Sequence, residues 1–349
     1  MIIVGMDVHV RNSFLQVVDE EGCVLRRGRC ANRLSDLAEF LAPFGTEPMR
    51  VSLESTTNSR AVHRMLMEHA RESGTPVTAQ VLDARKLRII AESVTKCDRL
   101  DAAVLAELTR SDFKLPVCYL PDDEEFALRE HLRARHDLVV LRTRVKNRIH
   151  SVFHRRGILT PARMSLFSGT GRKWLDETVL DEAGQSIISH YLEIVDRLEA
   201  TIDASTRQLR ELARRPRWSK SAALLQTMPG IGLITALTIL AELGDRHRFR
   251  SRAAVANYVG LVPILRSSND KSSTGHITKR GSKHLRAVLV EAAWMAVGRV
   301  PAYSAMFERV ARRRGRRIAI VAVARRMLED AWTMLKRDEA FRFSQSVAG

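Results

Sequence analysis

Four carboxylates in the first third of the chain stand where phosphate chemistry could use them. Asp7 closes the apolar run "IVGMDVH" and Glu54 closes "VSLEST", odd places for a charge. Asp98 and Asp101 sit at i and i+3 at the head of "DRLDAAVLAELTRSD", so a helix there puts both on one face. Acids ending adjacent strands, joined by two from a helix crossing that sheet, would converge on one point. Four such acids cannot all stay ionised together without cations. Hard divalent ions take oxygen ligands, and a pair about 3.5–4 Å apart activates a nucleophile and stabilises a leaving oxygen at phosphorus. Taken singly, each acid has a plainer explanation: Asp98 as a helix cap, Asp101 as an early-turn acid favoured by the helix dipole. The specificity lies in the combination. His9, two residues after Asp7, is either a further ligand or, the reading we favour, a structural or substrate-contacting residue.

The elements that must position these acids read as α/β. "MIIVGMDV" is a short apolar strand, and "SFLQVVD" and "CVLRRGRC" flank the turn "EEG" as a hairpin. Helical spacing follows through Leu34, Leu37, Phe40 and Leu41. "MRVSLES" is a fourth strand, "SRAVHRMLMEHARESG" a helix closed by Gly74, and "PVTAQVLD" a fifth strand. "ARKLRIIAESV" and the acid-headed segment at Asp98 complete the series as helices. Three strands in a meander, then helix, strand, helix, strand and helices, predict a mixed sheet with helices packed on it. This first domain spans 1–115.

Pro116 and Pro121 bracket a linker into a helical region, 116–215. Between Arg129 and Arg156 nine basic and two acidic side chains surround an apolar stripe of Leu138, Leu141, Val145, Ile149 and Val152. Further on, Ile188, Tyr191, Val195, Leu198, Ile202, Ser205, Leu209 and Leu212 alternate spacings of three and four. That seam predicts an antiparallel helical pair within the chain, a coiled-coil dimer, or both.

The last domain, 216–349, is mostly helical. Within it, "LLQTMPGIGLITALTILAEL" has the form of a helix-hairpin-helix element, in which Gly230 and Gly232 let backbone approach a phosphate. A plain glycine turn is the alternative. The long polar loop "PILRSSNDKSSTGHITKRGS" gathers Ser267, Ser268, Ser272, Ser273 and Thr274 among Arg266, Lys271, Lys279, Arg280 and Lys283. Composition alone favours phosphate contact by this loop. Hydroxyls beside cations could also supply a nucleophile, and no sequence rule selects one serine.

Charge sharpens the functional class. The net charge is +17, but residues 216–349 hold 24 Lys and Arg against 9 Asp and Glu, whereas 1–215 hold 33 against 31. A basic half joined to a near-neutral half points to polyanion binding, nucleic acid before an anionic membrane surface. The four cysteines show no CxxC spacing, so neither a zinc ribbon nor a disulfide framework is indicated. With no long apolar segment and no basic stretch before the first apolar run, the chain reads as soluble, cytoplasmic and nucleoid-associated, without a membrane partner.

The segments "GMDVH", "LEST", "KCDRLDA", "MPGIG", "YVGLVP", the serine pair and "ITKRGS" together resemble the DEDD-type insertion-sequence transposases, described as bridge-RNA-guided serine recombinases. The resemblance runs over nearly the whole chain, in the family's order and approximate spacing. It implies an amino-terminal RuvC-like domain of RNase H fold, a helical coiled-coil middle, and a carboxyl-terminal transposase domain. It places the acidic tetrad, binding Mg²⁺ or Mn²⁺, on Asp7, Glu54, Asp98 and Asp101. The catalytic serine falls on Ser268, with Ser267 the neighbouring candidate. Family members often have glycine after that serine, where this chain has Asn269 and Asp270, a departure that bears on register.

The resemblance further implies attack of the serine on a DNA phosphodiester, a covalent phosphoserine intermediate, and rejoining to a new partner strand. It implies double-stranded donor and target DNA, a structured noncoding guide RNA, and dimers assembling into a tetramer whose subunits share active sites. The low aromatic content, 5%, agrees with sequence choice delegated to base pairing rather than stacking. The alternative is a metal-dependent nuclease of the Holliday-junction type, in which the tetrad activates water and the serine segment only binds phosphate. A third reading, a non-catalytic nucleic-acid scaffold, leaves the strand-end carboxylates without a purpose.

Overall fold

The computed structural model describes residues 1–84, 86, 98–111, 114–268 and 271–342, with residues 98–100, 265–268 and 271–274 described by backbone alone. The predicted helix "ARKLRIIAESV" and Cys97 therefore lie almost wholly outside the described residues. The chain divides into two compact units, Met1–Leu120 and Pro121–Gly349.

The first unit is built on five strands: β1 (Ile2–Val8), β2 (Asn12–Val18), β3 (Val24–Ala31), β4 (Met49–Glu54) and β5 (Val77–Leu82). Their order across the sheet is β3-β2-β1-β4-β5, with β1, β2 and β3 antiparallel and β4 and β5 parallel to β1. All seven residues of β1 are buried. A central strand covered on both faces reads as a continuous apolar run, which is why its one carboxylate is conspicuous. Helices α1 (Leu34–Leu41) and α2 (Ser59–Ser73) lie on one face, where Val4, Met6, Leu15, Val17, Leu37, Phe40, Val62 and Leu66 form the core. Gly74 takes a left-handed conformation (φ 72°) and ends α2, as the sequence predicts. The opposite face belongs to α3 (Asp98–Arg110), whose Ala106 packs with Ile3 and Val18.

Among its described residues the second unit is built of helices and one hairpin. Its long helices α4 (Asp123–His154) and α6 (Glu182–Ala213) run antiparallel, joined by a connection carrying α5 (Gly169–Glu177). Val145, Ile149, Val152 and Phe153 of α4 bury Ile188, Val195 and Leu198 of α6. The three-four seam is thus occupied by a helix of the same chain. Leu141, part of the apolar stripe expected on α4, is instead 45% exposed.

At the other end of the pair, Leu128, Leu132 and Leu209 enter a larger core. They meet α7 (Pro216–Gln226), α8 (Leu233–Leu243), α9 (Arg252–Val259), α10 (Lys283–Val297), α11 (Pro301–Arg314) and α12 (Arg316–Arg337). Ion pairs fix this junction. Asp122 caps α4, accepting from the Glu125 amide at 2.9 Å. Arg217 of α7 pairs with Asp122 and with Glu124 at 2.9 Å, where negative charge suits the start of α4. Buried Arg129 donates Nε to the Ala241 carbonyl at 2.6 Å, satisfying one of the orphan acceptors at the end of α8.

The segment 263–282, expected as a polar loop, forms a hairpin: β6 (Pro263–Ser268) pairs antiparallel with β7 (Lys271–Ile277). Serines, threonine and lysine make no apolar alternation, so the period that betrays a half-buried strand is missing.

His284 at the start of α10 is buried, with its ring 4.6 Å from that of His136 on α4 and no partner for Nδ1 among the described residues. Burial, reinforced by His136 alongside, lowers its pKa to about 4. An unfolded histidine titrates near 6.5, so between those values the unfolded chain takes up a proton that the folded one refuses. Stability from this site is therefore complete above pH ~6.5 and falls as pH drops toward 4. Chemical denaturation should show a loss of roughly 2 kcal/mol between pH 7.5 and 5 attributable to His284. The His284→Phe variant should lose correspondingly less, and an identical pH dependence in both proteins would refute this origin.

Candidate active site

The acidic region follows from sheet register. Met6 stands opposite Leu53 on parallel neighbours β1 and β4, so Asp7 and Glu54 come next at the same ends of adjacent strands. The twofold alternation of strands puts them on the face of Gly5 and Ser52, which is the face α3 covers.

Gly5 decides how closely α3 can approach. A Cβ built at Gly5 would lie 2.1 Å from the Ala102 carbonyl oxygen and 2.4 Å from the Ala106 nitrogen. Helix backbone therefore presses directly on strand backbone, with alanines at i and i+4 forming the contact. Ala106 lies over Ile3 and Gly5, and Ala102 over Gly5, so α3 runs opposite to β1. Its preceding turn, which carries Asp98 and Asp101, extends toward the strand end that bears Asp7. Farther along the helix Thr109 Oγ1 lies 2.6 Å from Ser52 Oγ, and Gln80 Nε2 donates to that serine at 2.9 Å, a buried polar lock fixing the helix in rotation.

Asp7 is 4% exposed, and His9 Nε2 stands 3.2 Å from its Oδ2. His9 thus stands beside the Asp7 carboxylate, and its backbone is held by two residues that sequence reasoning missed. Asn32 Nδ2 and Asn58 Nδ2 each donate to the His9 carbonyl at 2.7 Å. The amide oxygen of Asn32 accepts from Ser13 at 2.7 Å, and that of Asn58 from Thr56 at 3.2 Å. Both asparagines sit at element ends, in "CANRLS" and "TTNSR", where they read as ordinary turn residues.

Asp101 is half-buried in the first turn of α3; at Asp98 the backbone alone is described. Among the described side chains no group of three or more His, Cys, Asp and Glu gathers closely enough to hold an ion. The described geometry is therefore two strand-end carboxylates in register, with the helix turn bearing the other two directed to the same end of the sheet.

In the second unit Ser267 pairs with Ser272 and Ser268 with Lys271, placing Ser268 at the far end of the β6–β7 hairpin, while Arg266 faces Ser273. The base of the hairpin is fixed by mutual contact of two glycine turns. A Cβ at Gly260 would lie 2.0 Å from the Arg280 oxygen, and one at Gly281 2.0 Å from the Tyr258 oxygen; both glycines have positive φ. Arg286 Nη1 donates to the carbonyls of Val259, Arg280 and Gly281 at 2.9, 3.1 and 3.2 Å. These contacts join "YVGLVP" to "ITKRGS". They leave Lys279, Arg280 and Lys283 exposed around the hairpin's foot.

The two glycines of "MPGIG" differ. Gly230 has φ +91°, and a Cβ there would lie 2.4 Å from the Ala292 oxygen, so its conformation and its lack of a side chain serve packing against α10. Gly232 opens α8, is exposed, and has nothing within 4 Å of the corresponding point. Of the pair, Gly232 is the one with room for a phosphate.

A strand-end acid pair under a helix, on a chain whose other unit is strongly basic, suits a protein that works on nucleic-acid phosphates. Residues 4–156 match the DEDD transposase model of the IS110 group, and residues 222–308 match the model described as Transposase IS116/IS110/IS902 family. The transposase for insertion sequence element IS1111A of Coxiella burnetii is 26% identical over 97% of this chain and 91% of its own length. A putative transposase of Sinorhizobium fredii is 31% identical over 57% of this chain, which spans 47% of that relative. The pilin gene-inverting protein of Moraxella bovis is 30% identical over 36% of this chain and 40% of its own. Two transposase models of the IS110 group thus match separate stretches of this chain, and insertion-sequence transposases, which cleave and transfer DNA, are among its relatives. No helix among the described residues is long and apolar enough to cross a membrane.

Proposed function

We propose that the protein cuts and rejoins DNA strands of its insertion sequence through a phosphoserine formed at Ser268, supported by the acidic tetrad of a RuvC-like, RNase H-type domain. The observation that carries the reading is the approach of α3 to Gly5, which directs the turn of Asp98 and Asp101 to the strand end of Asp7 and Glu54. This donor set is oxygen-only and dense in charge, and so suits Mg²⁺ or Mn²⁺. Bound there by Asp7, Glu54, Asp98 and Asp101, such an ion would neutralise charge developing at phosphorus.

The chain's own groups have separable tasks. His9, clamped by Asn32 and Asn58, keeps the buried Asp7 carboxylate oriented. Lys279, Arg280 and Lys283, with Arg266 and Lys271 on the strands, hold phosphates near the hairpin. The Ser268 oxygen forms a bond to phosphorus while a deoxyribose oxygen leaves and takes up a proton. The serine ester retains the bond energy that rejoining needs. The same reading gives the protein donor and target duplexes and a structured noncoding RNA as partners, and a homo-oligomer as the working form. The segregated charge supports the nucleic-acid partners.

The test is to incubate the protein with its element's DNA, its flanking noncoding RNA and Mg²⁺, then look for a protein–DNA adduct that survives denaturant. An adduct is expected with wild type and with Ser267→Ala, and none with Ser268→Ala. Free ends without any adduct, unchanged in Ser268→Ala, would replace this proposal with the metal-dependent nuclease in which water attacks.

A further inference from the structure

Remote in sequence from the hairpin, the second unit contains a cavity of about 370 Å³ bounded by α11, α12 and the chain that follows α12. Tyr303, 3% exposed, lines it. The tyrosine hydroxyl donates to Asp330 Oδ2 at 3.0 Å, and Arg326 Nε donates to the same oxygen at 2.9 Å. Arg252 approaches the other oxygen at 3.8 Å. Burial, with Asp330 beside it, raises the Tyr303 pKa, so the phenol stays neutral and keeps donating.

The outer wall is also held in place. Asp338 ends α12 in a left-handed conformation (φ 59°) and pairs with Lys220, and the Phe341 amide donates to Thr227 Oγ1 at 2.9 Å. Phe341, its ring 6.1 Å from that of Tyr303, then lines the cavity with Met306 and Met334.

The remaining lining is cationic. Asp330 occupies Arg326, and Glu339 lies 3.6 Å from Arg342. Arg309 and Arg337 line the same cavity, are exposed, and have no carboxylate partner among the described residues. One apolar aromatic wall beside two uncompensated guanidinium groups matches the two halves of a nucleotide. Guanidinium forks suit phosphate, and aromatic and thioether groups suit a base. The volume is at the small end of ligand sites and admits one nucleotide, whereas a base-paired duplex cannot enter a concave pocket of this size.

The geometry points to a binding site for a single unpaired nucleotide of a nucleic-acid strand, its phosphate held by Arg309 and Arg337 and its base against Phe341 and Met306. This site stands on the cavity and its lining, and does not depend on the strand-transfer chemistry proposed above.

The probe is a labelled single-stranded pentanucleotide, in deoxyribose and ribose forms, titrated into the full-length protein by fluorescence anisotropy. The double substitution Arg309→Ala/Arg337→Ala should weaken binding about tenfold or more, and Phe341→Ala severalfold. Arg313→Ala/Arg314→Ala removes equal charge from exposed residues outside the cavity and should weaken it less than about threefold. A five-base-pair duplex should not distinguish the two doubles. The sugar form that binds more tightly identifies the strand as DNA or RNA. Equal losses in the two double variants, at unchanged melting temperature, would overturn the site, as would failure of both pentanucleotides to bind. Repeating the comparison in an Asp7→Asn background keeps the outcomes separate, since the difference between the doubles should persist in a protein that no longer cuts.

Discussion

Asp7→Asn is expected to reduce strand cleavage roughly 10³-fold or more, about 4 kcal/mol of transition-state stabilisation, while leaving the fold intact. The size follows from position. Asp7 is buried at the end of a strand buried throughout its length, its carboxylate touches His9, and Glu54 ends the neighbouring strand. Asparagine keeps the shape and one acceptor oxygen, so the contact with His9 and the packing survive. It removes the charge, and with it the attraction for a divalent ion. In the proposed tetrad that same charge adds, without a metal, to the repulsion among the acids. Thermal melting without Mg²⁺ should therefore show Asp7→Asn as stable as wild type or more so, whereas added Mg²⁺ should stabilise wild type more than the variant. Single-turnover cleavage above a tenth of the wild-type rate would contradict a central role for this carboxylate.

The second large effect is expected at a residue without chemistry. Gly5→Ala places a methyl 2.1 Å from a carbonyl oxygen and 2.4 Å from an amide nitrogen of α3. Both obstacles are backbone, so no side chain can rotate away and the helix must retreat by about 1 Å. Overpacking ordinarily costs about 1–3 kcal/mol, and a contact with rigid backbone belongs at or above the top of that range. The first unit should melt roughly 10 °C lower. Displacing the turn that carries Asp98 and Asp101 by about 1 Å should cost cleavage on the order of 10²-fold even where the protein stays folded. Gly28→Ala on β3 is the control: its added methyl meets only a Phe40 ring carbon at 3.5 Å, an ordinary contact. Activity and melting temperature in Gly5→Ala equal to those of Gly28→Ala would exclude the close approach of α3.

These two residues also mark the limit of what the sequence discloses. Asp7 and Glu54 were legible because a charge interrupts an apolar run, and the alternation of strand and helix patterns placed them on one sheet. Asp98 and Asp101 were legible as a pair on one helical face. That α3 crosses at Gly5 was not, because a glycine in a strand pattern does not say what lies across from it. The same holds for Gly230, whose neighbour Ala292 is some sixty residues away. The three-four seam of α6 was plain, but periodicity cannot say whether its partner is α4 of the same chain or a helix of another. Hydroxyl-rich β6 and β7 gave no period at all. Asn32 and Asn58 meet at the His9 and Val10 carbonyls, a contact made by the fold rather than by spacing.

The interlocked turns beneath the serine hairpin define a unit of inheritance. Gly260 and Gly281 each occupy the space a side chain would need on the opposite turn, and Arg286 ties three of their carbonyls together. A change at one turn is sterically intolerable without a matching change at the other. Segments exchanged between related recombining enzymes, by evolution or by design, must therefore travel as one block from the start of α9 through Arg286. Cutting that block at the hairpin alone would transplant two strands without the footing that holds them.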